Sequence, residues 1–183
     1  MITRKKDQGI AVSKLLTENG IPIISSETLL LNNAESVRYI VDLLNFIVTP
    51  LNEELKANVL FFWSNHIPHN HEKHDFLALN SKLDLETLLE THLKLSLADL
   101  SKYSLYEKVE VLLKHSKLME EPDAYIIFFL DFIYQFSQKN QGDIFTFLNY
   151  WEQKKDTLSI SSPENQNAVN IMTIHKSKGL EFP

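Results

Sequence analysis

From Asn33 to Gln153 the apolar residues return at helical spacing almost without a break, yet the segments on both sides carry strand patterns. This contrast constrains the fold more than any other feature of the chain. After Asn33, an expected N-cap, Val37, Ile40, Val41, Leu44 and Ile47 keep the 3.6-residue period until Thr49-Pro50 stops it. Leu55, Val59, Leu60 and Trp63 form one side of a second helix over 52–66, and further helices are expected near 84–94, 104–116, 122–138 and 141–154. Upstream, Met1 to Arg4 reads as a strand stub, 6–19 as a helix closed by Gly20, and GIPIIS (20–25) as a β-branched strand. SISSPENQNA (159–168) is a linker by composition. After it, VNIMTIH (169–175) alternates β-branched residues as a strand does, and KSKGLE reads as a tight turn or short helix. The two ends are therefore fragments of an α/β layer that bracket about 120 residues of helix. The expected architecture is mainly α: a helical domain over 34–160, inserted into a partial α/β domain of residues 1–33 and 161–183 whose ends meet in space.

Composition narrows the function. With 4 Gly and 6 Pro in 183 residues the chain lacks the turns of a sandwich or barrel, and 44% apolar with 23% charged residues is ordinary for a globular protein. A net charge of −6 and only two arginines, Arg4 and Arg38, argue against a free-standing nucleic-acid binder. The absence of cysteine removes disulfides, thiolate metal sites and a cysteine nucleophile. No N-terminal stretch is laid out as a signal peptide, and the longest apolar run, Tyr125 to Tyr134, is broken by Asp131 and too short to span a bilayer. A soluble, reducing, cytoplasmic setting without a membrane partner is the expectation.

Three clusters invite functional readings. His66, His69, His71 and His74 include an i, i+3 pair, and imidazole suits zinc or nickel, but ordering carboxylates and cysteines are missing; a solvated loop or helix junction is the simpler reading. The run YIIFFLDFIYQF (125–136) resembles a base-stacking platform only superficially, because helical spacing with almost no charge marks a buried core. Glu107, Glu110, Glu120 and Glu121 read as a solvated helical face.

The stretch VNIMTIHKSKGLEFP resembles motif V of superfamily 1 DNA helicases of the UvrD/Rep/RecB type, a hydrophobic strand followed by T-x-H-x-x-K-G-L-E-[FW]. Thr173, His175, Lys178, Gly179, Leu180, Glu181 and Phe182 all fall on that pattern. ITRKKDQGIAVSKLLTENGIPIISSETLLL is similar to the segment that opens the second RecA-like half of these enzymes. Arg4 and Gln8 occupy family positions, whereas Ile10 stands where the common version has a second arginine. The ISSETLLL and LLNFIVTP stretches are closer to the RecB/AddA branch, in which a nuclease domain often follows the helicase. In this family the second motor half, subdomain 2A, is interrupted by a mostly helical insertion, subdomain 2B.

The resemblance implies roles residue by residue. Thr173, His175 and Lys176 would face single-stranded DNA, the hydroxyl and ring meeting phosphate or base. Arg4, Lys178, Gly179 and Glu181 would lie on the nucleotide side, with Glu181 accepting from the ribose and Lys178 serving either a phosphate or Glu181. Gly179 would permit a backbone path that a Cβ resists. The parent would be an ATP- and Mg²⁺-dependent 3′-to-5′ DNA helicase joined to, or partnered with, an exonuclease in recombination and repair. Its other partners would be the rest of the motor and, at 2B through residues such as Lys154 and Lys155, duplex DNA. No Gly is followed by the Lys-Ser/Thr of a phosphate loop, and no arginine motif follows motif V. The chain itself is therefore expected to be a fragment without cofactor, catalytic residues or ATPase, helicase or nuclease activity of its own. Two alternatives stand beside this reading: a helical protein–protein interaction module without a DNA role, and a weak DNA-binding domain in its own right.

Overall fold

The computed structural model describes residues 1–5, 8–9, 11–12, 15–16, 19, 21, 23–25, 30–140, 142–160 and 169–177, with the backbone alone at 23–25, 170, 175 and 176. The chain is mainly helical. It divides into two compact units, one drawn from both chain ends (up to Asn33 and from Lys155) and one formed by Ala34–Lys154.

The first unit holds strands β1 (Ile2–Thr3), β2 (Ile23–Ser25) and β3 (Val169–Thr173) in the order β1-β3-β2. Both pairings are parallel, with Ile2 opposite Met172, Thr3 opposite Thr173, and Ile23 to Ser25 opposite Val169 to Ile171. The described residues between 8 and 16 are helical. At Gly9 a Cβ would stand 3.2 Å from Thr3 Oγ1, a tight approach, and 3.8 Å from Ile171 Cγ2, an ordinary van der Waals contact. Ser159, assigned to the linker by composition, bridges Leu30, and Leu31 N donates to Leu158 O at 2.9 Å.

The second unit consists of α1 (Glu35–Val48), α2 (Glu53–His66), α3 (Lys73–Asn80), α4 (Leu85–Leu88, widened into a π turn over Leu89–Leu93), α5 (Leu97–Leu100), α6 (Leu105–His115), α7 (Ala124–Lys139) and α8 (Ile144–Lys154). Helix α1 is central. It buries Val37, Ile40, Val41, Leu43, Leu44 and Phe46 and packs against α2, α6, α7 and α8. Asn52 caps α2 by accepting from Glu54 N at 3.0 Å and Leu55 N at 3.1 Å, which sharpens the Thr49-Pro50 stop into a tight helix-to-helix turn.

Several expectations are corrected here. The residue before α1 is Ala34, not Asn33, because Asn33 closes a short 3₁₀ turn over Leu31–Asn33. Helices α3 and α5 fall in stretches that periodicity leaves unassigned. Helix α3 buries only Phe76 and Asn80; it is held from outside, by Phe76 against the His69 ring (4.3 Å) and by Lys56 Nζ donating to Ser81 O at 2.5 Å beyond its last turn. Helix α5 is set by Ser96, whose Oγ accepts from Asp99 N at 3.1 Å, and by Glu86, which accepts from Leu97 N at 3.2 Å. β3 ends at Thr173, where its partner β1 also ends, so His175 lies in the short helix α9 (Ile174–Ser177) and not in the strand. Gly20, read as a helix cap, lies outside the described residues. No helix among the described residues is long and apolar enough to cross a membrane.

The end of α6 yields a stability prediction. Lys117 sits at φ 61° while Leu118 N donates to Leu113 O at 3.0 Å, a left-handed cap normally given to glycine. Left-handed backbone costs a residue with a Cβ roughly 1–2 kcal/mol, against about 0.5–1 kcal/mol of extra chain entropy for glycine. Lys117→Gly is therefore expected to raise the unfolding free energy by about 0.5–1 kcal/mol, read as a higher urea midpoint by far-UV circular dichroism. A lower midpoint would contradict the strain argument.

Candidate functional site

In parallel α/β sheets ligands gather beyond the carboxyl ends of the strands. Here β1 and β3 end in register, so Thr3 and Thr173 stand opposite each other and the chain leaves both strands at the same edge. From β1 it continues into exposed Arg4, and from β3 into α9, where Ser177 Oγ donates to Ile174 O at 2.9 Å. Thr173 is half-buried. Thr3 is buried, and its hydroxyl has no hydrogen-bond partner among the described residues. Sequence reading missed Thr3; its signal was only its position immediately before Arg4. Threonine hydroxyls and a guanidinium are hydrogen-bonding groups, so this set suits binding and orienting oxygen-rich groups.

The predicted site residues are therefore distributed as follows. The structure brings the Arg4 and Thr173 segments to one sheet edge. It puts the backbone of His175 and Lys176 on α9, directly beyond Thr173. Lys178, Gly179 and Glu181 lie outside the described residues.

In the helical unit His66, His69 and His92 make ring contacts and hydrogen bonds within the fold. His66 Nδ1 lies 3.0 Å from Phe62 O, and its ring stacks on Phe62 at 4.1 Å. His69 Nε2 lies 3.1 Å from Ser64 O, while His71 and His74 are exposed. His92, which the sequence reading did not single out, donates from Nε2 to Asn80 Oδ1 at 2.6 Å; burial, then the charges of Lys94 and His69, hold its pKa below the usual imidazole range. Among the described residues no group of three His, Cys, Asp or Glu side chains converges as metal ligands would. The run at 125–136 lies on α7 and buries Ile126, Phe129, Leu130, Ile133 and Phe136, with Ile127 and Tyr134 exposed on the other side. A further buried polar group is Tyr39, whose hydroxyl meets Ser116 Oγ at 2.5 Å and accepts from Trp63 Nε1 at 2.9 Å. Burial pushes its pKa up to about 12.

Comparison with known proteins adds to this geometry. The UvrD-like helicase C-terminal domain family matches residues 91–183. Among curated proteins, an ATP-dependent helicase/nuclease subunit of Carboxydothermus hydrogenoformans is 32% identical over 122 residues, 60% of this chain and 10% of that protein. Its namesake in Clostridioides difficile is 48% identical over 54 residues, 27% of this chain and 4% of the relative. A third protein of the same name, from Latilactobacillus sakei, is 50% identical over 44 residues, 22% of this chain and 5% of the relative. The matched stretches thus span a tenth or less of these relatives' lengths.

Proposed function

Because the chain belongs to the UvrD-like helicase C-terminal domain family, we propose that it contributes part of the second motor half of an ATP-driven 3′-to-5′ DNA helicase coupled to a nuclease in DNA repair. The family match over residues 91–183 carries this reading, and the relatives named for a combined helicase/nuclease support the nuclease-linked branch. In this proposal Ala34–Lys154 is the inserted 2B subdomain, and the sheet unit is the surrounding portion of 2A. The β1–β3 register supports it, because one strand end then carries both the Arg4 and the Thr173 segments toward a shared cleft.

The division of labour follows from chemistry. Thr173, His175 and Lys176 contact the sugar-phosphate backbone of single-stranded DNA. Arg4, Lys178, Gly179 and Glu181 face the nucleotide, whose phosphates and Mg²⁺ are held by the other motor half. A segment that touches both ligands transmits nucleotide state to the grip on DNA. The isolated chain, which contains no phosphate loop, turns over no ATP in this reading.

The test uses the complete gene product and the isolated chain side by side. His175→Ala in the complete protein is expected to raise the single-stranded DNA concentration for half-maximal ATPase stimulation about tenfold, the loss of one hydrogen bond to a charged group. The same half-maximal concentration in variant and parent protein would remove His175 from the DNA path. Metal-dependent ATP turnover by the isolated chain would overturn its assignment as a partial motor.

A further inference from the structure

We propose that α3 is a latch on the helical unit, held shut by the rings of His69 and His92 and opened from its Asn80 end when the solution turns acidic. The latch lies wholly within Ala34–Lys154 and is independent of the helicase reading. Helix α3 buries only Phe76 and Asn80, and histidine holds both of them. Phe76 stacks on the His69 ring at 4.3 Å and meets the His92 ring at 5.2 Å. Asn80 Oδ1 accepts from His92 Nε2 at 2.6 Å.

The network fixes which nitrogen of His92 donates. Asn80 Nδ2 donates to Phe76 O at 2.8 Å, so Oδ1 is the atom turned to His92, and an amide oxygen only accepts. A second proton on the ring must then enter at Nδ1 and bring a net charge. The ring is poorly placed to carry it, being half-buried and 5.1 Å from Trp63. Its cationic or ionisable neighbours are Lys94 and His69. Lys94 Nζ donates to Thr91 O at 2.8 Å, which keeps the ammonium on the same turn. His69 brings no countercharge: its Nε2 faces Ser64 O at 3.1 Å, and its Nδ1 is buried with no hydrogen-bond partner. From α2, Lys56 reaches Ser81 O just past α3, and its charge is felt by Asp84. From α6, His115 Nδ1 lies 2.6 Å from Leu93 O. Asp75 on α3 and Glu90 on the π turn are exposed, and neither offsets a charge on His92.

The backbone is built to put His92 in this place. The residue lies in the π turn over Leu89–Leu93, which closes on Lys94 at φ 56°. A π turn and a left-handed lysine both cost backbone energy, and such features recur where a side chain must be positioned. At the other end of α3, Lys73 Nζ donates to Asn65 Oδ1 at 3.0 Å and stands 3.7 Å from the centre of the Phe61 ring. A lysine keeps its charge where histidine titrates, so the Lys73 end is the hinge and the Asn80 end lifts. A helix of eight residues does not persist in water without its packing, so lifting also unravels its last turn. Burial first, then Lys94 and His69, set the pKa of His92 below its ordinary 6.5. The contribution of this ring is therefore complete above pH 6.5 and is lost as pH falls through the folded value.

The test is hydrogen exchange of the whole chain at pH 7.5 and pH 5.5, one unit either side of 6.5, with rates corrected for the intrinsic pH dependence of exchange. The Ser81 and Leu83 amides donate to Leu77 O and Asn80 O, and their protection should fall roughly three- to tenfold at the lower pH, the effect of one proton taken up on opening. The amides of Leu43 and Leu44 in α1 should keep their protection. In His92→Gln, whose amide still donates to Asn80 but never ionises, the fall should shrink to less than about twofold. His115→Gln should respond as the parent does. In the parent chain, NMR of the His92 ring should give a titration midpoint below 6.5, a reading that needs no variant to fold. Unchanged protection at Ser81 and Leu83, an equal fall in His92→Gln, or an equal fall at Leu43 and Leu44 would each overturn the latch. So would a His92 midpoint at or above 6.5. Loss of the acid response in His115→Gln would move the titrating group to α6 and overturn the assignment to His92.

Discussion

Replacing Trp151 by alanine is expected to remove about 3–5 kcal/mol from the stability of the helical unit, the usual cost of truncating a fully buried tryptophan. Trp151 is 1% exposed and stands edge-on to Phe129 at 5.2 Å, with an interplanar angle of 88°. Phe129 in turn meets Phe147 edge-on at 6.1 Å, and Phe136 meets the same ring at 5.4 Å. Edge-to-face pairs of this kind contribute roughly 0.5–1.5 kcal/mol each beyond the area they bury. Removing the indole therefore leaves a cavity and also strips partners from the cluster that joins α7 to α8. Total stabilities of domains this size are about 5–15 kcal/mol, so the loss is a large share of the whole. The comparison variant is Tyr134→Ala, on the exposed side of α7 at 50% exposure. It should cost much less, about 1 kcal/mol or below. Urea denaturation of both variants measures the difference. A Trp151→Ala loss no larger than that of Tyr134→Ala would mean that the aromatic run is not the core it is read as.

That aromatic run was legible in the sequence because its period was. Ile126, Phe129, Leu130, Ile133 and Phe136 recur at the spacing of one helix face, and they are the five residues that α7 buries. The same signal located α1, α2, α6 and α8, because each carries an apolar stripe wide enough to face a core. It failed at α3, whose eight residues bury just Phe76 and Asn80 and whose end is closed by Lys56 from another helix. Such a helix is specified by tertiary contacts, which no local period encodes. Helix α5 was missed for a different reason. It is one turn long, and its signal was a cap, Ser96 three residues before Asp99, not a hydrophobic stripe. At the candidate site the strand pattern of 169–175 overran by two residues, because Ile174 and His175 continue the alternation while β1 offers no further partner beyond Thr3. Pairing, not propensity, ends that strand.

The other large effect is expected at Tyr39, and it carries its own sign in pH. The phenol accepts from Trp63 Nε1 and meets the hydroxyl of Ser116, which is 2% exposed. In Tyr39→Phe the indole N–H and the serine hydroxyl lose their buried partner, a cost of about 1–3 kcal/mol at neutral pH. In the parent chain burial raises the Tyr39 pKa from 10.0 to about 12, which opposes formation of the phenolate in the folded state. The unfolded chain then releases its proton first. The contribution of this group is fully present below pH 10 and is lost as pH rises from 10 through 12. At 1.36 kcal/mol per unit the loss comes to roughly 3 kcal/mol. Phenylalanine cannot ionise, so the variant lacks this part of the alkaline decline, whereas the contribution of Tyr125 is common to both proteins. The parent should thus be the more stable at pH 7, and the gap should close or reverse by pH 12. Stability curves for the two proteins that run parallel between pH 8 and 12 would show that the Tyr39 hydroxyl is not held neutral by burial.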